Sequence, residues 1–269
     1  MRIAVITPYY KETDQVLTQC HESVLAQTFP ADHFLLADGF PNPIVSGWRA
    51  QHFVMPCAHA DNGNTPRIAG ALSAFNLGYE AIAFLDADNW FRADHLERMA
   101  ALNRRTGAPV CVSNRTMHRP DGSYMFDDDK NDAKAHVDTS CLFMTRAAMP
   151  VLARWAMLPR QLGPICDTVY WSTLRQARLA FAHDPATTVA FRTTYEADFH
   201  RLGEPVPPNV KTLHMTMEPI RWLKSLSGAE RRRIRRELGW DTDVLARGSR
   251  RLSRSIVRGA QALRLAPAS

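Results

Sequence analysis

Two acids, Asp86 and Asp88, stand directly after the apolar run Ala81-Ile82-Ala83-Phe84-Leu85. A short apolar run between polar residues reads as a buried strand, which places both carboxylates at a strand's carboxyl end. Acids there suit a hard divalent cation, which takes one or two protein carboxylates, keeps some water and binds substrate phosphate oxygens. The bland alternative is that one acid caps the helix expected near Asp94 and the other is simply solvated. Asp38-Gly39 closes a second apolar run, residues 33–37. It is either an ordinary turn or a carboxylate offered to N–H and hydroxyl donors. Asp127-Asp128-Asp129-Lys130-Asn131-Asp132 gathers more acid, but lacks the glycine and terminal glutamate of a calcium loop. It is expected to be a solvated loop, a mobile lid. Asp167 precedes the helical stretch 168–176 and is of a type favoured at helix N-caps.

These groups need a scaffold, and the first hundred residues alternate strand and helix signals. Residues 3–7 read as a buried strand. Thr13 or Asp14 can cap a helix to about 27, with Val16, Cys20, Val24 and Leu25 near one face. Strands are expected at 33–37, 53–56 and 81–85, and helices at 66–79 and 94–105. Further on, 110–112 is strand-like, Asp121-Gly122 is a hairpin turn, and 137–144 returns to the core. Helices at 147–155 and 167–176 and a strand at 187–192 follow. Strand, helix, strand in this order implies right-handed crossovers and a largely parallel sheet. Ligands of such sheets bind beyond the strands' carboxyl ends, which directs attention to Tyr10, Glu12, Asp38 and residues 86–89.

The bulk numbers agree with one large α/β domain plus an appendage. The chain has 269 residues, 45% of them hydrophobic, and no apolar run approaches the ~18–20 residues that span a bilayer. The opening residues lack a signal peptide's long apolar stretch and cleavage site. Five widely spaced cysteines without a CxxC pair argue against a disulfide framework or zinc cluster, and point to a reducing cytoplasm. Charge is uneven. Residues 219–269 hold 13 basic and 4 acidic residues, whereas the rest holds 20 basic and 23 acidic. The natural division is therefore a domain at 1–218 and a basic helical tail at 219–269.

Taken in order, the motifs resemble the family 2 glycosyltransferases. Ile6-Thr7-Pro8-Tyr9-Tyr10-Lys11-Glu12 resembles their first strand and nucleotide loop, and Ser23-Val24-Leu25-Ala26-Gln27-Thr28-Phe29-Pro30 the end of their first helix. Leu35-Leu36-Ala37-Asp38-Gly39 resembles their second strand, with Ala37 replacing the first acid of the usual pair. Phe84-Leu85-Asp86-Ala87-Asp88-Asn89 resembles their metal motif. His136-Val137-Asp138-Thr139-Ser140 and Cys166-Asp167-Thr168-Val169-Tyr170-Trp171 look like their acceptor-side segments. The resemblance covers about residues 1–200. It implies a GT-A, Rossmann-like α/β fold with a mostly parallel central sheet. It also implies an inverting transfer of sugar from a nucleotide-diphosphate donor, UDP-linked by expectation, to a glycan or lipid-linked acceptor hydroxyl. Pro8, Tyr10, Glu12, Asp38, Arg67 and Asp86 are then expected to bind the nucleotide. Asp88, with Asp86 and a later histidine, His200 (or His214), would hold manganese or magnesium. Asp167 would be the general base and Asp138 a second catalytic acid. For Arg67 a surface position at a helix start, for Asp167 an N-cap and for Asp138 a satisfied buried acid are the rival readings.

Within the tail, Ser227-Gly228-Ala229-Glu230 has capping-box spacing ahead of a helix at 231–238. A second helix is expected over 243–265, with Leu245, Leu252, Ile256 and Leu263 in one stripe and Arg247, Arg251, Arg254 and Arg258 opposite. Such a helix either lies on an anionic membrane surface, at the inner face of the membrane, or packs its stripe on the domain. No nucleic-acid motif is present. The rival to an enzyme is an inactive GT-A-like protein that binds a nucleotide sugar or a partner.

Overall fold

The computed structural model describes residues 1–243, without the side chains of Leu213, His214 and Thr216. The expected helix over 243–265 and the His214 side chain lie outside the described residues. The first half of the sheet, residues 3–84, is built as the apolar runs require. β1 (Ile3–Tyr9) is buried along its whole length and pairs in parallel with β2 (Asp32–Ala37) and β4 (Ala81–Phe84), while β3 (Gln51–Val54) extends the sheet beyond β2. Strands covered on both faces read as continuous apolar runs, and these do. α1 (Asp14–Leu25) crosses from β1 to β2, with the Thr13 hydroxyl accepting the Val16 N–H. α2 (Asn64–Asn76) crosses from β3 to β4.

The second half, from residue 90 onward, is more mixed. β5 (Trp90–Phe91), α3 (His95–Thr106), β6 (Val110–His118) and β7 (Tyr124–Asp127) lead to β8 (Leu142–Thr145). α4 (Met149–Leu152) is a single turn between 3-10 segments, shorter than the helix expected over 147–155. α5 (Cys166–Gln176), β9 (Phe181–Arg192) and α6 (Glu196–Leu202) complete this half. Among the described residues nine strands form one sheet in the order β3-β2-β1-β4-β8-β6-β9-β5, with β7 on β6. Only β5, β7 and β8 run against the other six. This is the mostly parallel GT-A arrangement.

Two packing features position the site. Trp155 meets the Phe84 ring edge-on at 5.6 Å and stacks on Tyr170 at 3.9 Å, and its indole N–H donates to Asn64 at 2.8 Å. One buried indole therefore ties the end of β4 to the start of α2 and to α5. The second feature is the C-terminal packing. α7 (Leu213–Ser225) runs through the expected 218/219 boundary. α8 (Gly228–Leu238) begins with both bonds of the Ser227–Glu230 capping box, one helical turn earlier than expected. Its Ile234 and Leu238, with Trp240, bury against Leu162, Val169 and Leu223, while Arg232, Arg233, Arg235 and Arg236 are exposed. No helix among the described residues is long and apolar enough to cross a membrane, and the five cysteines are unpaired thiols.

Candidate active site

Because β1, β2 and β4 are parallel, their carboxyl ends open on the same side of the sheet. A cavity of about 1540 Å³ lies there, and Pro8, Tyr10, Glu12, Asp38, Arg67, Asp86, Asp88, Asp138 and Asp167 all line it. Nine residues expected from separate stretches of sequence thus converge. His200 does not: it is exposed on α6 and is not among the lining residues. It points to no metal role, because a ligand must share the space of the carboxylates it joins.

Asp38 is buried, and its oxygens are partly committed. Oδ1 accepts the His59 N–H at 2.8 Å and the His59 ring nitrogen at 2.9 Å, and Oδ2 accepts the Ala60 N–H at 2.9 Å. Burial pushes its carboxyl up, but these bonds outweigh that and hold it below the usual carboxylate range. Its first task is to anchor the loop after β3. Only Oδ2 keeps a lone pair for a ligand. Gly39 makes that closeness possible, since its φ is +80° and a Cβ there would lie 2.4 Å from the Ala58 nitrogen. The anchored loop enters the cavity through Ala60, Asn62 and Gly63.

Arg67 is buried, not a surface residue. It lies in the first turn of α2, and its Nη2 donates to Asp86 Oδ1 at 2.5 Å. Positive charge is unfavourable at a helix N-terminus, and Asp86 supplies the compensation. Asp88 has no such cation. Burial, then the nearby charges of Asp86 and Glu12, push its carboxyl up to about 7, with Lys211 opposing. Asp86, Asp88 and Glu12 bring three carboxylates to one cavity, and carboxylate oxygen is the donor a hard divalent cation takes, although among the described residues the ligand atoms that group closely enough for an ion are those of His136, Asp138 and Asp167. Asp88, with Asp86, would hold it.

Across the cavity, Asp167 sits in the first turn of α5, one residue inside the helix and not at its N-cap. Its Oδ1 accepts the Thr168 N–H at 2.6 Å, and its Oδ2 lies 3.6 Å from His136 Nε2. Asp138 is different. Its Oδ1 accepts the Ser140 N–H and its Oδ2 is paired with Arg115, so both oxygens are engaged. This is the arrangement of the rival reading, a satisfied buried acid, and Asp138 still lines the cavity. Arg115 also donates to Asp128 Oδ2 at 2.8 Å. The acidic loop is therefore anchored at Asp128 and Asn131, which are buried, while Asp127, Asp129 and Lys130 are exposed as expected of a solvated loop, and Asp132 Oδ1 accepts the Lys134 and Ala135 N–H groups.

Arg115, His136 and Lys211 line the cavity but carried no sequence signal of their own. Of these only His136 could have been noticed, since it heads the same acceptor-side segment as Asp138.

A nucleotide-type cleft at the carboxyl ends of a mostly parallel sheet, faced by a second acid on a helix start, defines a GT-A glycosyltransferase. The family described as Glycosyl transferase family 2 matches residues 4–150. The chain belongs to this family. Among solved structures it is similar to S. aureus TarS 1–349 in complex with UDP, at 14% identity and a TM-score of 0.57, covering 88% of this chain and 70% of that one. The S. aureus TarS crystal structure gives 14% and 0.57 over 86% of this chain and 45% of that one. TarS 1–349 in complex with UDP-GlcNAc gives 14% and 0.57, over 72% and 59%. At such identity the likeness is one of fold. No curated protein matches the chain.

Proposed function

We propose that this glycosyltransferase moves a sugar with inversion from a nucleoside-diphosphate sugar, UDP-linked, to a hydroxyl of a glycan or lipid-linked acceptor. The observation that supports it most is the convergence of Asp38, Arg67, Asp86 and Asp88 with Asp167 around one cavity. The strand-end group takes the donor. Pro8, Tyr10 and the Asp38-anchored loop hold base and ribose, with Asp38 Oδ2 available to one more donor. A divalent cation, manganese or magnesium, would neutralise charge developing on the departing diphosphate when held by Asp88 and Asp86. Arg67 orients Asp86 through its hydrogen bond to Oδ1, and Lys211 adds positive charge on the cavity wall. Asp167 takes the proton of the acceptor hydroxyl as that oxygen attacks the anomeric carbon. Its oxygen Oδ2 is not tied to the backbone, so it can meet the acceptor. The UDP and UDP-GlcNAc complexes of the structurally similar TarS support the choice of a uridine donor.

A screen of nucleotide sugars with manganese or magnesium, read as released nucleoside diphosphate, tests this. Turnover is expected with a uridine donor and lost on chelation. Turnover confined to another nucleotide would overturn the uridine assignment, and turnover indifferent to chelation would overturn the metal.

A further inference from the structure

The acceptor-side acid has a neighbour with no role in the scheme above. His136 lies on the segment that leads into Asp138 and lines the same cavity. Its Nε2 is 3.6 Å from Asp167 Oδ2, and its Nδ1 is 3.2 Å from the Thr168 hydroxyl. Its main chain is also fixed, because Asp138 N–H donates to Asn131 two residues from it and Asp132 caps the Lys134 and Ala135 N–H groups. The imidazole is therefore bonded at Nδ1 to the residue after the base, and its Nε2 faces the base itself.

We propose that His136 is the positioning residue of Asp167, its Nε2–H setting the orientation of Oδ2. The inference rests on Asp167 being the general base. The physical argument concerns rotation. Oδ1 is pinned by the Thr168 N–H at 2.6 Å, but a single contact leaves the carboxylate plane free to turn. A donor facing Oδ2 fixes the plane. A carboxylate has about four lone-pair positions, so both oxygens keep one for the acceptor hydroxyl. The Thr168 hydroxyl bonds Nδ1 at 3.2 Å. In the tautomer the proposal requires, the hydroxyl donates to Nδ1 and the ring hydrogen stands on Nε2, toward Asp167. Thr168 thus serves twice, through its N–H on Oδ1 and through its hydroxyl on His136. A separation of 3.6 Å exceeds a formed hydrogen bond, and such catalytic contacts tighten when substrate binds.

The same atoms pose a rival. One ligand atom each from His136, Asp138 and Asp167 lie within 4.8 Å of one another, a spacing that also suits a metal ion. The charges argue against it. Asp138 Oδ2 is already paired with Arg115, and Oδ1 accepts the Ser140 N–H. A cation there would sit against the guanidinium.

The test compares His136→Ala, His136→Gln, Thr168→Val and Asp167→Asn in the full chain, with kcat, donor KM and the manganese half-saturation measured for each. His136→Ala should lower kcat by about 10–100-fold, the usual effect of losing an orienting partner, and leave donor KM within about twofold. His136→Gln carries an amide N–H to the place of Nε2 and should recover about tenfold of that loss. Thr168→Val should lower kcat in the same direction. His136→Ala combined with Asp167→Asn should be no slower than Asp167→Asn alone, since the two act as a unit. Full kcat in His136→Ala beside an inactive Asp167→Asn would overturn the proposal, as would a raised manganese half-saturation in His136→Ala. If Asp167→Asn keeps wild-type turnover, the base assignment itself fails, whatever His136 does. Should His136→Ala not fold, the glutamine and Thr168→Val variants decide alone.

Discussion

Replacing Arg115 by methionine asks whether charge holds the acceptor-side wall of the cavity. One guanidinium faces two carboxylates: Nε donates to Asp128 at 2.8 Å and Nη1 to Asp138, with side-chain exposures of 10%, 4% and 6% in that order. Methionine preserves much of the length but leaves two acids buried without their cation. Removing one partner from a buried ion pair costs ~3–5 kcal/mol. In a domain of this size ~1 kcal/mol shifts the melting temperature by about 2–4 °C, so the variant should melt about 6–20 °C lower. Asp128→Asn should cost far less, because it leaves Arg115 and Asp138 as a neutral pair. The pH dependence follows from Asp128. Burial pushes its carboxyl up, but Arg115 and the Lys130 N–H outweigh burial and hold it below the usual range. A depressed folded value contributes stability above the unfolded value of ~3.9, and that stability is lost as pH falls through the folded value. The variant lacks this contribution, so the melting gap should be widest near about pH 7 and shrink toward about pH 3.5. Melting curves followed by intrinsic fluorescence across that range measure it. A variant melting within ~2 °C of wild type at neutral pH, or a gap that widens on acidification, would refute the reasoning.

Three further outcomes follow from the same geometry. Asp38→Asn should weaken nucleoside-diphosphate binding measured by calorimetry. Its stability deficit should also narrow as pH falls below the unfolded carboxylate value of ~3.9, because the native carboxyl is depressed. Gly163→Ala would place a Cβ 2.5 Å from Asn62 Oδ1 and 3.3 Å from the Asp61 carbonyl. It should displace the 60–63 loop and raise donor KM several-fold with kcat little changed, and an unaltered KM would show that this contact is slack. Trp240→Ala removes a fully buried indole from the cluster of Ile234, Leu238 and Leu223, at a cost of ~3–5 kcal/mol. If α8 is part of the folded domain, the whole protein should melt lower in one transition.

Much of the nucleotide side was legible because it is local. Buried parallel strands are written as short apolar runs, and the residue after each run falls at the sheet's binding edge. Asp38, Asp86 and Asp88 were found that way. The acceptor side was less legible because its logic is non-local. β6 reads as a strand only over 110–112, since Ser113, Asn114, Arg115 and Thr116 break the apolar run. They stay in the strand through register shifts against β9 and through ion pairs reaching 13 and 23 residues onward. Nothing in the string Asp127-Asp128-Asp129 announces that Asp128 would meet Arg115 in the interior. The same guanidinium pairs with Asp138, a partner that the sequence around Asp138 does not announce. His200 failed for the opposite reason. A histidine some distance after a metal motif has no spacing rule to place it, and α6 carries it to the exposed surface. For the basic region, the capping box Ser227–Glu230 forms as its spacing suggests, although the helix was expected from 231 and begins at Gly228, and only packing shows that Ile234 and Leu238 face the domain.

The central claim is that one cavity joins a metal-assisted donor site to Asp167 as the base. The most direct measurement follows nucleoside-diphosphate release from a nucleotide sugar by wild type, Asp88→Ala and Asp167→Asn under identical manganese, with nucleoside-diphosphate affinity measured alongside. Both variants should lose turnover by about 10²-fold or more. Asp167→Asn should bind the nucleotide as wild type does, and Asp88→Ala should lose the metal-dependent part of that binding. Wild-type turnover in Asp167→Asn, or binding by wild type with no turnover of any nucleotide sugar, would contradict it.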